Sequence, residues 1–196
     1  MRNIEQTIKN QYSKVFKEKD WLIFKLTADY YLARAATLKK KDIDYDKEFT
    51  LLIRNIQKRL FLGIAAEFLL KACYLKNKCA INLLRVADNR TIIPFNTIHI
   101  PDLKPENTFT LTRLRDHVRN VVNFTDWPKI EKGFKILTVF RNKEGHVVSI
   151  THKYKAENYR AIESSIIGFY KDVFDETLKF HISMVDDEVG EFEIEA

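Results

Sequence analysis

Glycine and proline are scarce in this chain of 196 residues, which contains 5 Gly and 4 Pro. An all-β sandwich or barrel needs many tight turns, and such turns depend on these two residues. The scarcity therefore argues against an all-β fold and favours helices. Hydrophobic residues make up 45% of the chain, with 14 Phe and 8 Tyr, which is enough to form the core of one globular domain.

Cysteine is also rare, and long apolar runs are missing. The 2 cysteines, Cys73 and Cys79, form no CxxC pair and no zinc pattern with histidine, which is typical of reduced thiols in a cytoplasmic protein. The first ten residues lack the apolar core of a secretory signal. Glu67 and Lys71 interrupt the best candidate for a membrane span. We therefore expect a cytoplasmic protein with no membrane partner.

Several kinds of site have no counterpart in the sequence. His99, His152 and His181 do not have the spacing of metal ligands. No glycine-rich loop of the P-loop or dinucleotide-binding type occurs. A helix-turn-helix with a short turn is also not found, which argues against a helical DNA-binding regulator. We therefore predict no metal and no other cofactor.

The positive charge is unevenly distributed. The net charge is +6, but residues 182–196 carry six acids and no base, which leaves +12 on residues 1–181. A net charge of this size on residues 1–181 attracts RNA or DNA. The alternative is a solvated, lysine-rich surface with no nucleic-acid partner, which would give the same net charge. We predict one domain at 1–181, with an insertion at about 80–108, and an acidic tail at 182–196.

Apolar residues recur at steps of three and four along much of the chain, as on one face of a helix. The pattern predicts a mainly α fold, a bundle of helices at about 3–16, 18–41, 49–76, 108–122, from Trp127 to the region of Arg141, and 155–180. Between Leu60 and Leu75 the helix is apolar nearly all round, which indicates a central, buried element. Within it, we interpret Glu67 and Lys71 as an ion pair on the helix surface rather than part of an active cleft.

The helical period is lost between residues 80 and 108. A turn-like stretch at 86–91 is followed by alternating residues around Phe95, Thr97 and His99, as in a strand. Three prolines limit its regularity. We predict a small β-hairpin-like insertion at about 80–105.

Arg141 falls where the stripe Ile130, Phe134 and Leu137 calls for another apolar residue. A guanidinium at such a position must be paired, or must line a cleft that water or a ligand reaches. His146 follows about 140° further round an ideal helix. Gly145 allows the backbone to bend just before it, so Arg141 and His146 could meet in one pocket.

These residue types suit the cleavage of RNA without a metal. Histidine can take the proton of the 2′-hydroxyl or protonate the leaving 5′-oxygen, because it titrates near neutral pH. The planar fork of Arg141 can bind two phosphate oxygens, and Asn142 can orient either group. The alternative is structural: an arginine that ends a helix, followed by a histidine in a loop. Asp116 and His117, beside several arginines, are interpreted as an exposed face rather than an accessory RNA contact.

Arg141, Asn142 and His146 match the Arg-x4–6-His motif of the HEPN superfamily, small helical domains of prokaryotic toxins, abortive-infection proteins and CRISPR-associated ribonucleases. The chain resembles that superfamily over roughly residues 18–180. The order of elements also agrees: a long helix ending at Glu67–Ala72, a loop, a helix at Leu111–Val122, and then the motif.

The resemblance implies an HEPN-like helical bundle with a metal-independent ribonuclease site at a homodimer interface. It also implies a toxin–antitoxin or phage-defence setting, with an antitoxin protein as a further partner. A dimer suits the chemistry, since one histidine per chain cannot easily act as acid and base in the same step. The alternative is a non-catalytic adaptor of the same fold that binds RNA or protein.

One position departs from the pattern. Some toxins of the superfamily carry, two residues after the motif histidine, a tyrosine that a partner nucleotidyltransferase modifies. Here Val148 occupies that position, which argues against such control. The acidic tail 182–196 could instead lie over the basic cleft as an internal brake.

Overall fold

The computed structural model describes residues 20–38, 47–77, 79, 81, 108–143, 154 and 156–178. Most of these residues are helical, and none of the elements among them is a strand. The prediction of a mainly α protein is confirmed for this part of the chain. The predicted helix 3–16, the hairpin-like part of the insertion and the acidic tail lie outside the described residues.

Five α-helices are present in the described ranges. They are α1 (Asp20–Thr37), α2 (Lys47–Lys76), α3 (Leu111–His117), α4 (Trp127–Lys143) and α5 (Ala156–Phe169). A 3-10 turn, Val118–Asn120, follows α3, and a π turn, Tyr170–Phe174, follows α5. Each of the five helices overlaps a segment in which the spacing of apolar residues predicts a helix.

Helices α3 and α5 are both shorter than the periodic segments that predict them. Helix α3 begins at Leu111 rather than near residue 108, because the side chain of Thr110 caps it and accepts a hydrogen bond from the backbone N–H of Arg113. The helical segment that starts at Ala156 stops before residue 180, because Asp175 adopts a left-handed conformation with φ of 56°. Local capping therefore sets both boundaries.

The chain divides into two compact units. The first contains residues 1–30 and 65–124, and the second contains residues 31–64 and 125–196. The division falls inside α1 and inside α2, so each of these helices contributes residues to both units. Residue 181, the predicted end of the domain, lies outside the described residues, and the single-domain prediction stays a prediction.

In the first unit, the second half of α2 is the buried centre. No residue between Leu60 and Leu75 is exposed, which confirms the prediction that this stretch is buried; its residues from Ala65 onward belong to the first unit. The hydroxyl of Tyr74 donates a 2.8 Å hydrogen bond to the carbonyl oxygen of Leu114 and so joins α2 to α3. The rings of Phe24 and Phe68 lie 5.7 Å apart between their centroids and join α1 to α2.

The interpretation of Glu67 and Lys71 as a surface pair is wrong. Lys71 is 7% exposed. Its Nζ lies 2.8 Å from a carboxylate oxygen of Glu67 and also donates a 3.1 Å hydrogen bond to the hydroxyl of Thr108. The periodicity identified the i,i+4 partners but not Thr108, which is remote in sequence and helps to enclose the ammonium group. The pair joins α2 to the chain that precedes α3.

Two described residues near the ends of the predicted insertion are hydrogen-bonded to each other in the first unit. The backbone N–H of Phe109 donates a 2.8 Å hydrogen bond to the carbonyl oxygen of Ile81. Both residues are buried. A backbone hydrogen bond therefore joins the two described residues that lie near the ends of the predicted insertion.

In the second unit, α4 and α5 pack closely through small residues. The backbone N–H of Gly133 donates a 3.1 Å hydrogen bond to the hydroxyl oxygen of Ser165, which is fully buried. That hydroxyl lies within donating distance of the carbonyl oxygens of Lys129 and Ala161, at 2.8 and 2.7 Å. The side chains on this helix face are small enough for the two backbones to approach.

Substitution of Gly133 by alanine should therefore lower the free energy of unfolding by about 1–2 kcal/mol. The added Cβ would lie 2.5 Å from Cβ of Ser165 and 2.8 Å from the carbonyl oxygen of Ala161. Gly168→Ala is the matched control, because its Cβ would meet only side-chain carbons of Ile130, at 3.2 and 3.4 Å. Denaturant unfolding of both variants checks this. An equal effect of the two would contradict the close approach at Gly133.

Candidate nucleic-acid site at the end of helix α4

Arg141 lies in the last turn of α4, on the face that packs into the second unit. Ile130, Phe134 and Leu137 are buried on that face, and Arg141 follows them in the same stripe and is half-buried. The structure thus places Arg141 where the sequence pattern predicts it. Arg141 has at least one interaction partner, and a half-buried cation requires one.

Asn142 lies on a different face of the helix. It follows Arg141 by about 100° around the helix axis, and its side chain is exposed. Arg141 and Asn142 are therefore neighbours at the edge of α4, one turned towards the core and one towards solvent. A ligand that contacts both must lie across this edge.

The backbone of α4 at Arg141 is in direct contact with α2. A Cβ built on Gly63 would lie 2.6 Å from the backbone nitrogen of Arg141, 2.8 Å from its Cα and 3.0 Å from its Cβ. Gly63 is buried within an otherwise strongly helical segment. A glycine in such a segment usually has a packing reason, but the sequence does not reveal which residue it faces.

Two tyrosines support the end of α4. The ring of Phe140 is fully buried and meets the ring of Tyr154 edge-on, with centroids 4.7 Å apart. It also lies 6.1 Å from the ring of Tyr159 on α5. Tyr154 therefore lies against the last turns of α4. These ring contacts fix the backbone on which Arg141 is carried.

A second guanidinium lies close to this end of α4. Arg59, one turn before Gly63 on α2, is 6% exposed, and its Cζ lies 5.4 Å from the centroid of the Tyr154 ring. Tyr154 thus contacts both Arg59 and Phe140. Two more cations of α2 in this unit, Arg54 and Lys58, are 5% and 7% exposed. Several buried cations therefore lie in this part of α2. Burial removes water from these charged groups, and interactions with neighbouring side chains must offset that energetic cost.

Arg59 is a residue that the sequence pattern alone does not single out. The one available signal is that Lys58 and Arg59 interrupt a run of apolar positions around Ile56 and Leu60. Cations beside an apolar stripe are common on helix surfaces, because long side chains can reach water. Only the burial of Arg59 against Tyr154 distinguishes it.

His146, the third residue of the motif, and Gly145 before it lie outside the described residues. The meeting of Arg141 and His146 in one pocket therefore stays a prediction. Among the residues of the motif, the structure describes the positions of Arg141 and Asn142.

The arginines of α3 are engaged locally. The guanidinium of Arg115 forms an ion pair with Asp116 at 2.6 Å, and that of Arg113 lies 5.0 Å from the centroid of the Phe109 ring. Asp116 is exposed and His117 is half-buried. These contacts favour the interpretation of this segment as a solvent-facing surface of the first unit.

The two thiols are buried and form no disulfide. Desolvation raises the pKa of both Cys73 and Cys79. A thiol with a raised pKa stays protonated at neutral pH and is a poor nucleophile. Neither cysteine is therefore a candidate for nucleophilic catalysis.

Within the described ranges, no cluster of three or more His, Cys, Asp or Glu side chains could hold a metal ion. Within the same ranges, no helix is both long enough and apolar enough to cross a membrane.

Comparison with known proteins assigns no family. No family model, curated protein or solved structure matches this chain significantly. The described residues define a mainly helical protein whose second unit carries Arg141 at the end of α4.

Proposed function

We propose that the protein is a metal-independent endoribonuclease of the HEPN type, cleaving RNA at a homodimer interface. The observation that carries the proposal is the position of Arg141: a half-buried permanent cation at a helix end, backbone-packed against Gly63. A cation held on a rigid backbone is preorganised to bind a phosphate that gains charge in the transition state.

The reaction is a transesterification. The 2′-oxygen attacks the adjacent phosphorus, its proton passes to a base, and the bond from phosphorus to the 5′-oxygen breaks as an acid protonates that oxygen. The products are a 2′,3′-cyclic phosphate and a free 5′-hydroxyl. His146 acts as general acid and base, Arg141 binds the non-bridging phosphate oxygens, and Asn142 donates a supporting hydrogen bond from the exposed edge of α4.

A two-fold dimer would complete the site. One imidazole starts the step either protonated or neutral, so it cannot supply both proton transfers at once. Two-fold symmetry brings a second His146 and a second Arg141 to the same interface. The half-buried position of Arg141 at a helix end supports this arrangement, since a partner surface or RNA can cover the remaining exposed part.

The biological setting that we propose is a toxin–antitoxin or phage-defence system. An uncontrolled endoribonuclease would degrade the RNA of its own cell, so such a protein needs an inhibitor. An antitoxin protein is one candidate, and the acidic tail 182–196, with its six carboxylates, is another.

The decisive experiment uses the unmodified full chain. Purified protein is incubated with RNA in excess chelator, and the ends of the fragments are analysed. We expect 2′,3′-cyclic phosphate and 5′-hydroxyl ends, and no cleavage of the same oligonucleotide with 2′-O-methyl groups. We also expect a mass by light scattering of about twice 23.2 kDa.

Other products would contradict this reaction. Fragments with 5′-phosphate ends, or cleavage that the chelator abolishes, would indicate hydrolysis by another mechanism. If several RNAs bind and none is cleaved, the protein is the non-catalytic adaptor that the same fold allows.

A further inference from the structure

The exposed face of α4 is strongly cationic. The helix carries five cationic side chains and one carboxylate, Glu131. Lys129, Lys132 and Lys135 are all exposed. Helix α4 therefore has lysines on its exposed side, whereas Arg141 is half-buried in the stripe on the opposite side.

These lysines lead along the helix towards the candidate site. Successive residues of a helix are about 100° apart around its axis. One side of α4, opposite the buried stripe, therefore carries four residues within about 80° of one another: Lys132, Lys135, Val139 and Asn142. Lys129 borders them one turn earlier. From Lys132 to Asn142 the stripe is about 15 Å long at the helical rise. We call these five residues the α4 stripe; it ends beside Arg141.

Most of the charge on the α4 stripe is not neutralised by neighbours. Lys135 lies 3.1 Å from a carboxylate oxygen of Glu131, but so exposed a pair contributes little. Neither Lys129 nor Lys132 has a carboxylate oxygen of the described residues within 4.0 Å. Both ammonium groups are thus available to an anion from solution.

The surface of α5 and the π turn, in the same unit, differs from the α4 stripe in the charge of its exposed residues. Its exposed positions on α5 and the π turn carry charges of both signs and one large apolar side chain, at Glu157, Arg160, Ile167 and Lys171. The α4 stripe has only the half-buried Val139 as an apolar member. Protein interfaces have an apolar centre with few lysines, whereas phosphodiester backbones are bound mainly by Lys and Arg.

We propose that the α4 stripe is the docking surface for the sugar–phosphate backbone of single-stranded RNA and leads the strand to Arg141. The choice of RNA over DNA rests on the proposed function, but the backbone contact itself does not require cleavage. Lysine suits this task because its flexible ammonium contacts phosphates without fixing a base sequence.

The size of the effect follows from counterion release. Each phosphate contact with a single strand adds about 0.7 to the slope of log K against log salt. Near 0.15 M salt, the loss of one phosphate contact therefore lowers the affinity roughly fourfold. The loss of two contacts lowers it on the order of tenfold.

The test compares two double variants of the full chain that lose the same charge. Lys129→Gln/Lys132→Gln changes the α4 stripe, and Arg160→Gln/Lys171→Gln changes exposed cations of the adjacent surface. Binding of a 2′-O-methyl oligouridylate and of an oligothymidylate of equal length is measured at several salt concentrations. Thermal melting of both variants should match that of the unmodified protein.

We expect the α4 variant to bind both probes about tenfold more weakly at 0.15 M salt, with a salt slope lower by about 1.4. The control variant should change affinity by less than about threefold. With cleavable RNA, the α4 variant should raise KM and leave kcat unchanged. Equal weakening by the two variants, or no binding of either probe by the unmodified protein, would overturn the proposal.

The outcomes separate this proposal from the function on which it rests. If RNA binds in a way that depends on Lys129 and Lys132 but is never cleaved, the docking surface stands and the ribonuclease fails. If RNA is cleaved with a KM that does not respond to these substitutions, the ribonuclease stands and the docking surface fails.

Discussion

His146→Ala should lower the rate of RNA cleavage by about 10²–10⁴-fold, which is the usual contribution of a positioned proton donor or acceptor. Alanine removes the only group of the Arg141, Asn142 and His146 set that can transfer a proton near neutral pH. In a dimer both copies are lost at once, so the true loss should lie towards the upper end of that range. Cleavage of a fluorescent RNA at saturating protein measures it.

His117→Ala is the matched control. His117 lies on α3 in the first unit, beside arginines that are engaged locally, and its loss should change the rate by less than about twofold. RNA affinity should be unchanged in both variants, because neither histidine is assigned to the docking surface. Full activity of His146→Ala, or equal losses for the two histidines, would remove His146 from the mechanism.

Gly63→Ala should lower the free energy of unfolding by about 3 kcal/mol, at the high end of overpacking effects. Two of the three atoms nearest to the new Cβ are backbone atoms of Arg141, at 2.6 and 2.8 Å, so no side-chain rotation can relieve the clash. In an open helical position the same change would stabilise by up to about 1 kcal/mol. The sign of the effect therefore reports the contact between α2 and α4.

The same variant should reduce cleavage even where it is folded. Separation of α2 from α4 would displace Arg141, and a misplacement of about 1 Å can cost about 10²-fold in rate. Denaturant unfolding and cleavage at low temperature measure the two effects, with Gly168→Ala as the control for glycine replacement. A stabilised or fully active Gly63→Ala protein would show that the two helices are not in contact at Arg141.

Much of the helical structure follows from the periodicity of apolar residues. The stripe Ile130, Phe134 and Leu137 predicts α4, which the structure confirms; Arg141 follows in the same stripe and is half-buried. Periodicity succeeds here because it reflects a local repeat of 3.6 residues, which does not depend on the rest of the fold. The helix ends at Thr110 and Asp175 follow instead from local capping and a left-handed residue.

The burial of charged residues could not be predicted in the same way. The pattern places Lys71 on a helix surface, whereas it is buried and bonded to Thr108. Arg59 gives no distinct signal, yet its guanidinium lies over the ring of Tyr154. A long cationic side chain looks the same in sequence whether it reaches water or a partner contributed by another segment.

By itself the sequence determined which of the described segments are helical and which face of α4 is apolar. It also determined that Arg141 and Asn142 lie near the end of that helix, with His146 four residues further along the chain. The tertiary structure alone decided that Gly63 lies against Arg141 and that Tyr154 contacts both Phe140 and Arg59. The physical reason is that helical periodicity depends on near neighbours along the chain. Contacts between helices depend instead on how side chains of distant segments fill a shared volume.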